Sequence, residues 1–193
     1  MVVIDDAATA EPLADALLAG GLPCAEITFR TAAAADAIKA MASRSEMAVG
    51  AGTVLTAEQV DRAVDAGAKF VVSPGFGPAV VARCVELGVP VYPGAATATE
   101  IQMALDAGLG TVKFFPAEQL GGAAMIKALA APFRQVRFIP TGGVTTDNLG
   151  QYLALPSVLA VGGTWMVAAD LLKNRDWAEV TRRTRAAVEG ASR

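Results

Sequence analysis

The 193-residue sequence contains no histidine. Histidine is the usual general base and metal ligand near neutral pH, so its absence excludes Ser-His-Asp chemistry and histidine-bound metals together. Charged residues are also scarce, at 18%, and the net charge of −3 excludes a general electrostatic attraction to nucleic acid. Any catalyst built from this chain must therefore use lysine, carboxylates, hydroxyls or backbone groups.

Cysteine is scarce as well, and the sequence shows no pattern of an export signal. Only Cys24 and Cys84 are present, and the N-terminal M-V-V-I-D-D lacks the basic region and long apolar run of a signal peptide. We therefore expect two free, buried thiols in a reducing cytoplasm. Positions 148–169 carry no charge, but a proline and a Gly-Gly pair interrupt them, so we predict no membrane span.

Hydrophobic residues, at 53%, are plentiful, and their arrangement repeats along the chain. A helix-like, alanine-rich stretch ends at a glycine, and a short β-branched strand follows. Gly67, Gly88 and Gly108 mark successive units, at intervals of 88 − 67 = 21 and 108 − 88 = 20 residues. Such a period predicts repeated β/α units. Eight strands are predicted, centred on positions 2–4, 25–30, 48–54, 70–73, 89–92, 112–115, 137–141 and 158–161.

Apolar strands that alternate with helices indicate a parallel sheet covered by helices. Eight units predict a compact (β/α)8 TIM barrel that forms one domain over residues 1–193, although most such barrels have roughly 200 residues or more. A flavodoxin-like or Rossmann sheet is the alternative. It is disfavoured because no G-x-G-x-x-G opens a helix after a strand, and because eight strands exceed its usual number.

Polar side chains alternate with apolar ones in the second predicted strand. With a period of two, Glu26, Thr28 and Arg30 share one face, and Ile27 and Phe29 share the other. We expect the apolar pair to pack on helices and the polar side chains to point into the barrel. The alternative is a Glu–Arg pair that only satisfies itself inside the barrel, which is a poor source of stability.

One lysine lies inside the apolar segment T-V-K-F-F-P at positions 111–116. The same alternation predicts that Lys113 and Phe115 face inward, while Val112 and Phe114 face the helices. In the alternative register, Lys113 would extend outward past its neighbours to reach solvent. That register is disfavoured because it turns Phe114 inward and places Lys113 where a helix contact belongs.

A lysine, a glutamate and an arginine in one interior suggest carbonyl chemistry. An amine kept from water near a guanidinium is more readily neutral, and a neutral amine attacks ketones to form a Schiff base. Glu26 would then carry protons for Lys113, since histidine is unavailable. Arg30 could hold a substrate carboxylate through a forked pair of hydrogen bonds.

Two Gly-Gly pairs follow the last two predicted strands, in I-P-T-G-G-V and V-G-G-T-W. Glycines there expose backbone N–H groups, and barrels commonly bind phosphate at the ends of strands 7 and 8. Each pair could instead be a tight turn. Two pairs at these two strand ends favour phosphate binding.

Six segments together resemble one family, the class I 2-keto-3-deoxy-6-phosphogluconate (KDPG) aldolases, which overlap with the 2-keto-4-hydroxyglutarate (KHG) aldolases. The resemblance covers nearly the whole chain in order, and K-F-F-P-A-E is its most specific segment. The six are E-I-T-F-R-T (26–31), G-A-G-T-V-L (50–55), V-S-P-G (72–75), K-F-F-P-A-E (113–118), P-T-G-G-V (140–144) and G-G-T-W (162–165).

The resemblance implies a role for each candidate residue. Lys113 would be the Schiff-base lysine and Glu26 the general acid/base, while Arg30 and Thr53 would bind the pyruvoyl carboxylate. The remaining residues implied are Pro74 and Phe115, which would line the pocket, and Gly142, Gly143, Gly163 and Thr164, which would hold the phosphate with Thr141 nearby.

The resemblance also implies a homotrimer, a phosphorylated keto-acid substrate, and neither a metal nor another cofactor. Relatives usually have a longer first strand, so we expect a shortened N-terminus here. Two alternative functions stay open. The chain could prefer 2-keto-4-hydroxyglutarate or the galactonate epimer of KDPG, or it could be a phosphate-binding barrel with impaired catalysis.

Overall fold

Helices and strands alternate throughout the computed structural model, which describes residues 1–192. The strands are β1 (Cys24–Thr28), β2 (Ala48–Gly52), β3 (Phe70–Val72), β4 (Val91–Tyr92), β5 (Thr111–Phe114) and β6 (Arg137–Pro140). The α-helices are α1 (Ala10–Ala19), α2 (Ala34–Ala42), α3 (Ala57–Asp65), α4 (Pro78–Glu86), α5 (Ala98–Asp106), α6 (Gly122–Ala130), α7 (Leu149–Leu153), α8 (Ala169–Asn174) and α9 (Trp177–Ala191). Short 3-10 helices cover Ala7–Thr9 and Trp165–Val167.

All strand pairs are parallel and follow chain order, as β1-β2-β3-β4 in one sheet and β5-β6 in a second. A backbone bridge between Gly94 and Lys113 joins the two sheets. Beyond β6, Val158 bridges to Phe138 and Gly162 bridges to Thr141. The predicted strand at 158–161 is therefore wrong as a continuous strand, because the Val158 N–H turns back to the Leu155 carbonyl at 2.9 Å.

The first barrel position is also held by separate contacts. Val2 bridges to Ile27, so the predicted strand at 2–4 makes one bridge instead of a ladder. The Met1 nitrogen donates to the Gly163 carbonyl oxygen at 3.1 Å, which closes the ring between the eighth position and the first. Eight parallel positions result, with β1–β6 in the second to seventh, and the predicted (β/α)8 barrel is confirmed.

The hydrophobic core lies between the outward faces of the strands and the helices around them. Ile27 is fully buried in one cluster with Leu13 and Ile38, from α1 and α2. Phe114 is fully buried in a second cluster with Ile126 from α6. The predicted alternation of faces is therefore confirmed in β1 and β5. The alternative register of β5 is excluded, because its aromatic residue packs on the helices and its lysine does not reach solvent.

Threonine caps place two helix starts close after their strands, which keeps the loops at the carboxyl end of the barrel short. The Thr56 hydroxyl accepts from the Gln59 N–H at 3.2 Å at the start of α3. Thr97 and Glu100 form a capping box at the start of α5. Each cap satisfies an N–H that the helix itself leaves unpaired.

The two cysteines differ in exposure. Cys84 on α4 is buried, and both thiols are free, as predicted. The prediction that Cys24 is buried is wrong, because it is the exposed first residue of β1, at the amino end of the strand. No helix among the described residues combines the length and the apolar character needed to cross a membrane.

Candidate active site

The barrel interior brings together a lysine and a glutamate that lie 87 residues apart in the chain. Lys113 Nζ lies 3.5 Å from Glu26 Oε1, and the two side chains are only 4% and 14% exposed. The Phe115 ring lies on the same side of the strand, with its centroid 5.3 Å from Lys113 Nζ. An amine and a carboxylate in contact, both largely shielded from water, can form a carbon–nitrogen bond and move a proton beside it.

Arg30 follows the end of β1 and remains free for an anionic ligand. Its Nε donates to the Thr28 hydroxyl at 3.3 Å, and Thr28 in turn donates to the Val2 carbonyl at 3.2 Å. Within residues 1–192, Arg30 forms no ion pair with a carboxylate, and Glu26 pairs with Lys113 instead. The alternative of a self-satisfied Glu–Arg pair is therefore wrong.

The end of β2 is strained beside this pair. Thr53 has a φ of 56°, in the left-handed region that β-branched residues rarely adopt. Such a conformation costs on the order of 1–3 kcal/mol and is concentrated at functional sites. Thr53 is the residue that the family resemblance assigns to the carboxylate of the substrate, and the strain supports that assignment.

Gly52, next to Thr53, makes room for Glu26. A Cβ atom at position 52 would lie 2.1 Å from Glu26 Oε1 and 2.7 Å from its Cγ and Cδ atoms. The sequence alone does not reveal the role of Gly52, because the β1–β2 register that sets Glu26 opposite Gly50 is not visible in one strand alone. The motif G-A-G-T-V shows small residues here, but not what they accommodate.

The Gly52→Ala variant should push the Glu26 side chain away from Lys113 without replacing either residue. We expect kcat/KM to fall on the order of 10²-fold, since about 1 Å of misplacement can cost that much. Steady-state kinetics would measure the change, and thermal unfolding would verify the fold. Gly110→Ala is the matched control, because an added Cβ there has its nearest neighbour at 3.9 Å. Unchanged kcat/KM in Gly52→Ala would show that Gly52 does not constrain Glu26.

Two of the predicted pocket residues, Pro74 and Thr141, each follow the carboxyl end of a strand. Pro74 follows β3, and Gly94 packs so closely on it that a Cβ at 94 would lie 2.0 Å from the Pro74 carbonyl oxygen. Thr141, which follows β6, is buried, and its hydroxyl fills the space over Gly162. The Gly94–Lys113 backbone bridge joins the Pro74 contact to the strand that carries Lys113.

The first Gly-Gly pair forms an open row of backbone donors. Gly142 and Gly143 have φ values of 95° and 80°. In the part of the chain that the structure describes, the N–H groups of Gly142, Gly143 and Val144 have no acceptor. Successive free N–H groups in a turn form an anion-binding concavity. The Gly142-Gly143 segment is therefore more than a tight turn, because it leaves three successive backbone donors free.

The second pair presents a similar edge. The Gly163 and Thr164 N–H groups are also without an acceptor among residues 1–192, and Gly163 lies so close to Trp165 that a Cβ would meet its ring at 1.9 Å. Thr164 and Arg30 both line a cavity of about 390 Å³, whose lining does not include Lys113. No group of three or more Asp, Glu or Cys side chains within the described range could hold a metal ion.

A closed parallel barrel, with a lysine and a carboxylate in contact in its interior and free backbone donors at its last two strand ends, defines a Schiff-base (class I) aldolase. A family model described as KDPG and KHG aldolase matches residues 1–183. The chain belongs to the KDPG and KHG aldolase family.

Similar proteins agree with this assignment. A 2-dehydro-3-deoxy-phosphogluconate aldolase of Treponema pallidum (strain Nichols) is 54% identical over 182 residues, covering 94% of this chain and 87% of the relative. The KDPG aldolase of Zymomonas mobilis ZM4, solved with 3-phosphoglycerate, is 45% identical with a TM-score of 0.92, covering 96% of this chain and 88% of that one. The KDPG aldolase of Legionella pneumophila, with pyruvate captured as a covalent carbinolamine, is 39% identical with a TM-score of 0.93, covering 96% and 91%.

Proposed function

We propose that the chain is a class I aldolase that cleaves 2-keto-3-deoxy-6-phosphogluconate to pyruvate and glyceraldehyde 3-phosphate. The observation that carries this proposal is the 3.5 Å contact between Lys113 Nζ and Glu26 Oε1 inside the barrel. Family membership supports the reaction, and the covalent carbinolamine of pyruvate in the Legionella relative supports a covalent route through an amine.

The covalent steps begin at the substrate ketone. The neutral Lys113 amine attacks C2 to form a carbinolamine, and Glu26 moves the protons that allow water to leave and the imine to form. The protonated imine is an electron sink. Glu26, directly or through a water, then takes the proton of the C4 hydroxyl, so that the C3–C4 bond breaks and its electrons move into the imine to give an enamine.

Release completes the cycle. Glyceraldehyde 3-phosphate leaves with its new carbonyl at the former C4. Glu26 returns the proton to C3 of the enamine, which restores the imine. Water then adds to C2, and pyruvate departs as Lys113 regains its free amine. Protons, electrons and water balance, so the residues of the site suffice without a further reactant.

The substrate would span the carboxyl end of the barrel. We assign its carboxylate to Arg30 and Thr53, since the guanidinium has no carboxylate partner among residues 1–192 and can bind one bidentately. Pro74, Phe115 and Thr141 would line the pocket between this end and the phosphate. The phosphate would bind the free backbone donors described above, contributed by Gly142, Gly143, Gly163 and Thr164.

A direct test compares two substrates in a coupled assay for pyruvate release. We expect kcat/KM for the phosphorylated substrate to exceed that for 2-keto-4-hydroxyglutarate by at least about 10-fold, because charge-assisted hydrogen bonds to the phosphate would be lost. The reverse order would remove the phosphate assignment. Binding of inorganic phosphate without any pyruvate release would favour a barrel with impaired catalysis.

The assembly and location of the enzyme are part of the proposal. We infer one domain over residues 1–193, a homotrimer and a cytoplasmic location, on the family resemblance and the two free cysteines. Sedimentation of the purified chain would test the trimer. A monomer that retains full activity would contradict a functional role for it.

A further inference from the structure

Three consecutive carbonyl groups of the first Gly-Gly turn each accept a hydrogen bond. The Thr141 and Gly142 carbonyls accept from the Ala117 and Glu118 N–H groups, at 2.8 and 3.1 Å. The Gly143 carbonyl accepts from Asn148 Nδ2 at 3.0 Å. In a trans peptide the N–H points away from the carbonyl. Each of these carbonyls points toward the group that donates to it, so the N–H of the same peptide points the opposite way. The N–H groups of residues 142–144 are thereby left free.

Glu118 contacts this turn with its side chain as well as its backbone. A Cβ atom at Gly143 would lie 2.5 Å from Glu118 Cγ and 2.6 Å from its Cβ, so the glutamate stem rests directly on the glycine. The backbone of Glu118 therefore cannot move without shifting the turn. A carboxylate this close to an anion site would repel the ligand unless it is held in another direction.

Tyr152 provides that hold. This residue of α7 is only 1% exposed, and its hydroxyl donates a hydrogen bond to Glu118 Oε1. Burial, together with the hydrogen bond to Glu118, raises the pKa of the Tyr152 hydroxyl above its ordinary value. The hydroxyl therefore stays a donor through the neutral range. Asn148 lies one helical turn before Tyr152, so α7 reaches the Gly-Gly turn by two routes.

We propose that Glu118, held by Tyr152, is a positioning residue that keeps the Gly142-Gly143 turn in its anion-binding form and thereby sets the preference for a phosphorylated substrate. This inference rests on the proposed function, and it deepens the phosphate end of the same site. Glu118 makes no contact with Lys113 or Glu26 among the hydrogen bonds and ion pairs of residues 1–192, so we expect it to affect substrate binding and not the proton transfers.

Substitutions at both ends of the contact test the proposal. The measured quantity is the phosphate preference, defined as kcat/KM for KDPG divided by kcat/KM for 2-keto-4-hydroxyglutarate. Tyr152→Phe and Glu118→Ala should each lower it about 5- to 10-fold, the effect of one lost hydrogen bond, through a higher KM for KDPG at nearly unchanged kcat. Glu118→Gln should retain the preference, because its amide oxygen still accepts from Tyr152.

Tyr92→Phe is the matched control, since Tyr92 is the other tyrosine of the chain and its hydroxyl has no hydrogen-bond partner in the described part of the structure. An unchanged preference in Tyr152→Phe and Glu118→Ala would overturn the proposal. So would a Glu118→Gln variant as impaired as Glu118→Ala with kcat reduced on both substrates, because that pattern indicates proton transfer.

Hydrogen exchange gives a readout that does not depend on the substrate. The Ala117 and Glu118 amides donate to the turn, so their protection should fall about 5- to 10-fold in Tyr152→Phe and stay constant in Glu118→Gln. If the wild-type enzyme showed no preference for the phosphorylated substrate, the proposed substrate would be contradicted, but the positioning role of Glu118 would not. Exchange rates that are the same in all variants would overturn the positioning role even if that preference is present.

Discussion

Replacement of Lys113 by alanine should abolish pyruvate release and, with it, the adduct that borohydride traps between pyruvate and the chain. Lys113 is the amine buried beside Glu26, and a Schiff base requires it. We expect kcat/KM to fall roughly 10⁴–10⁶-fold, the range seen when an enzyme loses its nucleophile. A coupled assay would measure turnover, and intact mass after reduction would measure the adduct.

Two further variants separate chemistry from folding. Lys113→Ala leaves Glu26 largely buried without its partner, which also destabilises the barrel. Lys113→Arg keeps a cation next to the carboxylate but offers no nucleophilic amine, so it should fold and remain inactive. Lys69→Ala, which removes an exposed lysine, should behave as the wild type. An adduct that forms equally well in Lys113→Ala would overturn the mechanism.

The repeated glycine-and-strand pattern was enough to predict the barrel. It worked because each unit must bury one strand and one helix face, and eight such units close into a ring. It failed in detail where pairing depends on local backbone direction. Val158 carries the β-branched signal of a strand, yet its N–H is used in a turn with Leu155, and no composition pattern reveals that choice.

The interior pair was predictable for a related reason. A period of two fixes the face of a side chain within its own strand, and closing the barrel directs all inner faces to one interior. Glu26 and Lys113 therefore meet although the chain between them is long. The pattern could not show that Arg30 stays unpaired, because the choice between two cations depends on side-chain distances.

The supporting residues lay beyond prediction for another reason. Gly52 matters only because the neighbouring strand sets Glu26 against it, and Tyr152 matters only because α7 lies next to the loop after β5. Neither contact produces a periodic pattern or a fixed residue spacing in the sequence. The left-handed conformation of Thr53 is equally invisible, since a β-branched residue is the one least expected to adopt it.

Replacement of Glu26 by glutamine should lower kcat about 10²–10⁴-fold, the usual effect of losing a general acid/base. The amide keeps the size of the side chain and its place beside Lys113, but it cannot carry a proton. Exchange of the pyruvate methyl hydrogens in D₂O isolates the step, because it requires only enamine formation and its reprotonation at C3. Nuclear magnetic resonance of the methyl group would follow it.

Glu118→Gln is the matched control for Glu26→Gln, because it neutralises the carboxylate that accepts from Tyr152 and should leave methyl exchange unchanged. Removing the Glu26 charge also alters the surroundings of Lys113. This effect on the lysine can be separated from the loss of the proton carrier. If only the lysine were affected, adduct formation and exchange would fall together. If the proton carrier is lost, the adduct should form more slowly but still reach its full level at saturating pyruvate, while exchange stays slow. Exchange at the wild-type rate in Glu26→Gln would remove Glu26 from the role, since the proton would then be reaching C3 by another path.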